Sequence, residues 1–127
     1  VPIPLVHGTL PVLGFRIGAF AYLTDCNAIP DVSWRLLEGL DVLVLDALRH
    51  KPHATHFTLQ DAVGTARRIG ARRTLFTHMS HDLPHNATCG MLPDGMALAH
   101  DGLELDVSVM DLNLLLPDAQ AAAAHYK

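Results

Sequence analysis

The sequence predicts an α/β domain built on a mixed sheet with helices on one face, and three observations carry that prediction. Strand-like apolar runs come first, in "IPLVH" and "LPVLGFRIGAFAYLTD". Two capped helical patterns then each lead into a short apolar run, "LDVLVLDAL" and "RTLFTH". Successive strand, crossover helix, strand units of this kind build a sheet with parallel pairing, whose sites fall at the carboxyl ends of its strands.

Each element has its own local cause. "LPVLGFRIGAFAYLTD" reads as two strands, near 12–17 and 20–24, joined at Gly18 in a hairpin. "PDVSWRLLEGL" carries Pro30 and Asp31 as helix-start signals, apolar positions at Val32, Leu36 and Leu37, and Gly39 as a stop. The β-branched run after it is too short for an ordinary helix and is expected as a buried strand at 41–46. Thr58 followed by Asp61 is a variant capping box. It starts a helix whose apolar stripe is Leu59, Ala62, Val63, Ala66 and Ile69, closing at Gly70. "RTLFTH" is the next strand, 83–91 a weak helix or loop, and "MALAHDGLELDV" a closing hairpin turning at Asp101 and Gly102. The domain is expected over 1–107, with 108–127 a helical or frayed tail.

Composition narrows the function. With 127 residues, 50% hydrophobic and 17% charged, the chain reads as one globular unit. A net charge of -4 argues against a general nucleic-acid or anionic-membrane surface. The basic cluster of Arg67, Arg68, Arg72 and Arg73 lacks interleaved aromatics and reads as a solvated helix end. Cys26 and Cys89 are far apart with no CxxC or CxxH pattern, so neither a disulfide framework nor a cysteine zinc site is indicated. No apolar run approaches the roughly 20 residues that span a bilayer. The expected location is the cytoplasm, and the start without methionine, directly in a strand, suggests a fragment.

The polar residues gather at predicted strand ends. His7 ends "IPLVH", Asp25 ends "FAYLTD", His78 ends "RTLFTH", and His50, His53 and His56 follow the buried strand. Neutral imidazoles with a carboxylate are the ordinary ligands of zinc and similar divalent ions. Nine histidines in the chain make a metal centre the better reading of the set. Each member has a plainer one: Asp25 as a turn residue, His7 as a frayed-strand histidine, His56 as a cap on the Thr58 helix, and His50 and His53 as loop polarity. His81 and Asp82 are expected to support the His78 ring. His85, His100 and His125 read as solvent-exposed.

In their order, "PLVHG", "LGFRIG", "AYLTD", "LDALRHKPHATHFT" and "LFTHMSHD" resemble the metallo-β-lactamase-fold hydrolases over about residues 3–107. The similarity is to the branch of phosphoribosyl cyclic phosphodiesterase and tRNA 3'-processing endonuclease. It implies an αββα sandwich of which this chain is the C-terminal half. By the same resemblance His7 and His78 are metal ligands, Asp25 bridges two ions, and His56 contacts the phosphate and protonates the leaving alkoxide. His53, His81 and Asp82 would stand behind the ligands or touch substrate.

The implied cofactor is a divalent metal pair, zinc or manganese, and the implied reaction is attack of a metal-bridged hydroxide on a phosphodiester, a small cyclic one first. The family's HxHxDH ligands do not occur in these 127 residues, so the expected partner is a missing N-terminal half, another chain, or a second copy in a homodimer. The alternatives are a tRNA-processing-type nuclease and a catalytically inactive metal-binding or interaction module.

Overall fold

The computed structural model describes residues 1–107, and the expected tail at 108–127 lies outside them. Pro2–His7 (β1) and Leu10–Ile17 (β2) pair antiparallel, and Phe20–Leu23 (β3) returns along β2 after a turn in which Gly18 adopts φ 57°. Alternation is clean in β1, where Ile3 and Leu5 are buried. Gly14 is the buried residue of β2 and sits opposite Ile3. A methyl group there would stand 2.6 Å from Leu23 Cδ2, 2.9 Å from Leu5 Cδ1 and 2.9 Å from the Tyr22 carbonyl oxygen. Only a residue without a side chain lets these strands close on that face.

The first crossover is shorter than the sequence pattern suggests. Asp31–Trp34 (α1) is one helical turn, continued by a 3₁₀ turn at Arg35–Leu37. Of the three apolar positions expected to face the core, Leu37 is buried, but Leu36 is exposed and Val32 is 71% exposed. Ser33 takes the buried place instead, because its hydroxyl donates to the Pro4 carbonyl at 2.6 Å and ties the crossover to β1.

Val42–Asp46 (β4) is buried along its whole length and runs parallel to β3 and to Arg73–Thr77 (β5). Leu59–Ile69 (α2) connects them. Its start is capped by Thr58, whose Oγ1 accepts the Asp61 amide at 3.0 Å, and Gly70 ends it in the left-handed region at φ 74°. Leu59, Ala62 and Ala66 bury its stripe against Leu43, Leu45 and the rest of the core. Two of the four arginines of the basic cluster are engaged in the fold: Arg68 stacks 3.6 Å over the Trp34 ring, and Arg72 pairs with Asp41 at 2.5 Å.

His85–Met91 (α3) leads to Met96–Leu98 (β6), which pairs parallel with β5 and completes one sheet in the order β1-β2-β3-β4-β5-β6. This corrects the expected closing hairpin. The turn at Asp101 and Gly102 does form, with the Leu103 amide donating to the His100 carbonyl at 3.1 Å. No strand follows it among the described residues. The α3 crossover brings β6 back in parallel, and Thr74 and Ala99 amides bond across to Gly95 and Phe76 carbonyls. No helix among the described residues is long and apolar enough to cross a membrane.

The side of β2 and β3 away from the helices stays apolar and open. Leu13, Phe15 and Ile17 alternate along β2, Phe15 lies opposite Tyr22, and all four are exposed. Gly14→Ala is expected to lower stability by about 1–3 kcal/mol through overpacking, read as a lower urea midpoint; an unchanged midpoint would show that β1–β3 can move apart at no cost.

Candidate metal centre

Three parallel strands end at one level. The register aligns Leu23 with Leu45, Leu45 with Phe76, and Asp46 with Thr77, so the residues that follow, Asp25 after β3 and His78 after β5, leave the sheet side by side. Main-chain bonds bring the other pieces in. The Asn27 amide donates to the Val6 carbonyl at 2.9 Å, which draws the end of β1 to the segment after Asp25. Leu48 and Phe57, then Arg49 and Leu59, close the loop between β4 and α2 and fold it over those strand ends.

His56 is the middle of the resulting cluster. Its ring centroid lies 4.7 Å from those of His7 and His78 and 5.0 Å from that of His53. Asp25, His56 and His78 each offer one ligand atom, all within 4.8 Å of one another. His78 Nδ1 is 3.6 Å from Asp25 Oδ1. His7 belongs to the same group of rings, with Nδ1 2.9 Å from the Thr55 carbonyl, which accepts its proton and leaves Nε2 for a ligand. Gly8, at φ 67°, permits this approach, since a methyl group there would come within 2.8 Å of Thr55 Cγ2.

The backbone holds His78 where an ordinary residue resists going. Its φ of 62° is in the left-handed region, a placement that costs of order 1–2 kcal/mol for a residue with a side chain. Bonds on both sides enforce it: the Ala47 amide donates to the Thr77 carbonyl at 3.0 Å and the Ser80 amide to the Leu48 carbonyl at 2.8 Å. Residues kept in such regions cluster at functional sites.

Asp46 is the site residue that reading the sequence missed. Its carboxylate is wholly buried, accepts the Cys26 amide at 2.8 Å and the Phe57 amide at 3.4 Å, and faces His56 Nδ1 at 3.7 Å from Oδ2. Burial raises its pKa, and the amide bonds and His56 oppose that rise. Burial likewise lowers the pKa of His56; the Asp46 carboxylate opposes this and the neighbouring His78 and His7 reinforce it. His56 Nδ1 has no hydrogen-bond partner at its present separation. A closing movement of a few tenths of an ångström would let Nδ1–H donate to Asp46 and fix the tautomer. The signal was visible as one carboxylate at the end of an otherwise apolar strand.

The remaining predicted residues lie at the rim. His53 Nδ1 accepts the Thr55 amide at 3.2 Å, beside His56. His81 and Asp82 are exposed and meet each other at 3.5 Å, with Ser80 bonded to Asp82, and neither hydrogen-bonds to His78. Asn27 was also unforeseen: it takes the Gly8 amide at 2.8 Å and reaches the Ala54 carbonyl at 3.3 Å, joining the β1 turn to the histidine loop. A carboxylate with several imidazoles is a donor set that fits a divalent metal ion, and His78 and Asp25 are open enough to admit one.

Comparison with known proteins agrees with this architecture. Residues 1–79 match the family model described as a β-lactamase superfamily domain. A diphosphatase of the PhnP family is 54% identical, with a TM-score of 0.84 over 85% of this chain and 43% of its own. The short form of human tRNase Z is 20% identical with a TM-score of 0.64, covering 84% of this chain and 42% of that one, a likeness of fold. An octanoyltransferase of Porphyromonas gingivalis is 32% identical over 99% of this chain but 26% of its own length. The chain thus spans less than half of the diphosphatase and about a quarter of the octanoyltransferase.

Two outcomes follow from this geometry. Asp46→Asn turns an amide N–H₂ toward the Phe57 amide or His56, and is expected to cost about 1–3 kcal/mol by urea unfolding; no loss would mean the carboxylate is not a structural acceptor. His78→Gly should be more stable than His78→Ala by about 1 kcal/mol, the reverse of the order expected at a residue with negative φ.

Proposed function

This chain belongs to the β-lactamase superfamily and has the metallo-β-lactamase fold, and we propose that it is the C-terminal half of a metal-dependent hydrolase acting on a phosphodiester, a small cyclic one first. The observation that carries the reading is the convergence of Asp25, His56 and His78 within 4.8 Å, with Asp46 behind His56. Divalent metal use goes with the fold family. Asp25 and His78 would hold the ion with His7 beside them, and it would supply Lewis acidity toward a phosphoryl oxygen and a nucleophile at neutral pH.

This chain's own residues do the rest. Asp25 contributes negative charge where a cation belongs. Once the closing movement lets Asp46 accept the Nδ1 proton of His56, the imidazolium presents its second proton at Nε2 to the reacting groups and passes it to the departing oxygen. His53, exposed beside it, is placed to meet a phosphate oxygen. The 54% likeness to a diphosphatase supports chemistry at phosphorus and adds a P–O–P linkage to the substrates to be tried. The octanoyltransferase likeness covers only 26% of that protein's length and adds no acyl chemistry to this reading.

The open apolar surface of β2 and β3 is where the other half of the molecule packs, whether it is supplied upstream or on another chain; a homodimer is the alternative occupant. Arg68 is stacked on Trp34 and Arg72 paired with Asp41, and with the net charge of -4 this sets the tRNA-processing reading second.

Metal content by mass spectrometry and hydrolysis of bis(p-nitrophenyl) phosphate test the proposal, with the chain alone and with an upstream segment bearing HxHxDH supplied. The complete protein is expected to hold metal and turn over. Neither metal nor activity in the complete protein would leave an inactive interaction module. In the active form His56→Ala should reduce turnover by about 10²–10⁴ while sparing metal; loss of metal instead would make His56 a ligand.

A further inference from the structure

The helix before the last strand and the segment after that strand bring together three side chains that the centre around His56 does not use. We propose that His85, Cys89 and His100 bind a zinc ion. His85 and Cys89 are four residues apart on α3 and share one face of it, with Cys89 Sγ 3.8 Å from His85 Nε2. A nitrogen and a sulfur on one tetrahedral zinc stand roughly 3.5–3.8 Å apart, given metal–ligand lengths of about 2.0 and 2.3 Å. The His100 ring faces that of His85 at 6.0 Å between centroids, with the planes 79° apart. Two imidazoles on one such ion are separated by roughly 5–6 Å, so the exposed His100 side chain completes the set by turning toward His85 and Cys89.

The surroundings suit ligands rather than idle polar groups. The Leu98 amide donates to Cys89 Sγ at 3.4 Å and fixes where the sulfur sits. His100 Nδ1 lies 3.0 Å from the Asp101 carbonyl, which accepts its proton and leaves Nε2 bare, the arrangement metal-bound histidines ordinarily use. Cys89 is a free, half-buried cysteine, and Cys26 is buried elsewhere in the core. Thiolate with two imidazoles selects a softer ion than the carboxylate-containing centre does, and three protein ligands leave a fourth position open to water or an added ligand. Nothing in the linear spacing announces the site, because the third ligand arrives only when β6 pairs with β5.

Cobalt(II), which substitutes for zinc and reports thiolate ligation by a near-ultraviolet charge-transfer band, tests this on the full metal-free chain. The expected result is such a band at one equivalent, displaced by zinc, lost in Cys89→Ser and retained in His78→Ala. His85→Ala and His100→Ala, both at exposed positions, should each weaken the affinity roughly tenfold or more. Absence of the band in folded protein, its survival in Cys89→Ser, or unchanged affinity in both histidine variants would overturn the proposal.

Discussion

The buried Asp46 carboxylate is the constraint on which the rest of the centre depends. A carboxylate at the end of a fully buried strand is unfavourable unless its oxygens are occupied, and here two main-chain amides from distant parts of the chain occupy them. One belongs to Cys26, next to Asp25; the other belongs to Phe57, next to His56. The same charge therefore fixes where Asp25 and the central histidine leave the backbone. Its second oxygen faces His56, so the group that satisfies the loops also sets the electrostatics of the ring between them.

That arrangement makes the positions of the histidines a property of the scaffold. His7 is held through Thr55, His78 by amide bonds on either side of a left-handed residue, and the loop bearing His53 and His56 by its ladder to Arg49. None of these bonds involves a metal, and each is to the main chain. Side chains carried this way need little reorganisation when charge arrives, and the strain at His78 is offset by the core beneath it, where Phe76 is wholly buried.

Much of this was legible in the sequence, and what was not has physical reasons. Thr58 and Gly70 delimit α2 because capping is a local interaction, and β4 was legible because a continuous apolar run has few other uses. Val32 and Leu36 misled because helical periodicity presumes a helix long enough to have faces, whereas α1 is a single turn anchored by the Ser33 hydroxyl. The hairpin after β6 was expected from a real turn at Gly102, but a turn does not supply a strand for β6 to pair with, and β5 was already available. The strand-end rule indicated Asp25, His56 and His78 as neighbours. The same rule put His7 and His53 near them, and both rings do pack around His56; it could not indicate that Asp46 stands behind His56, since that contact depends on loop closure.

The two faces of β2 connect the fold to the chemistry. An antiparallel strand with one solvated face ordinarily alternates apolar and polar residues, yet Leu13, Phe15 and Ile17 are exposed while Gly14 on the opposite side is packed into the core. Such a strand is written to be covered on both sides. If the covering half also carries the remaining metal ligands, closure of the sandwich and completion of the centre are one event. Metal at this centre would then stabilise the assembled form alone, by RT ln(1 + [M]/Kd), about 2.7 kcal/mol at a hundredfold excess over Kd. On the proposed function, neither half would act on phosphate esters by itself, because the ions of that centre would be held tightly only where both apolar faces have been withdrawn from water.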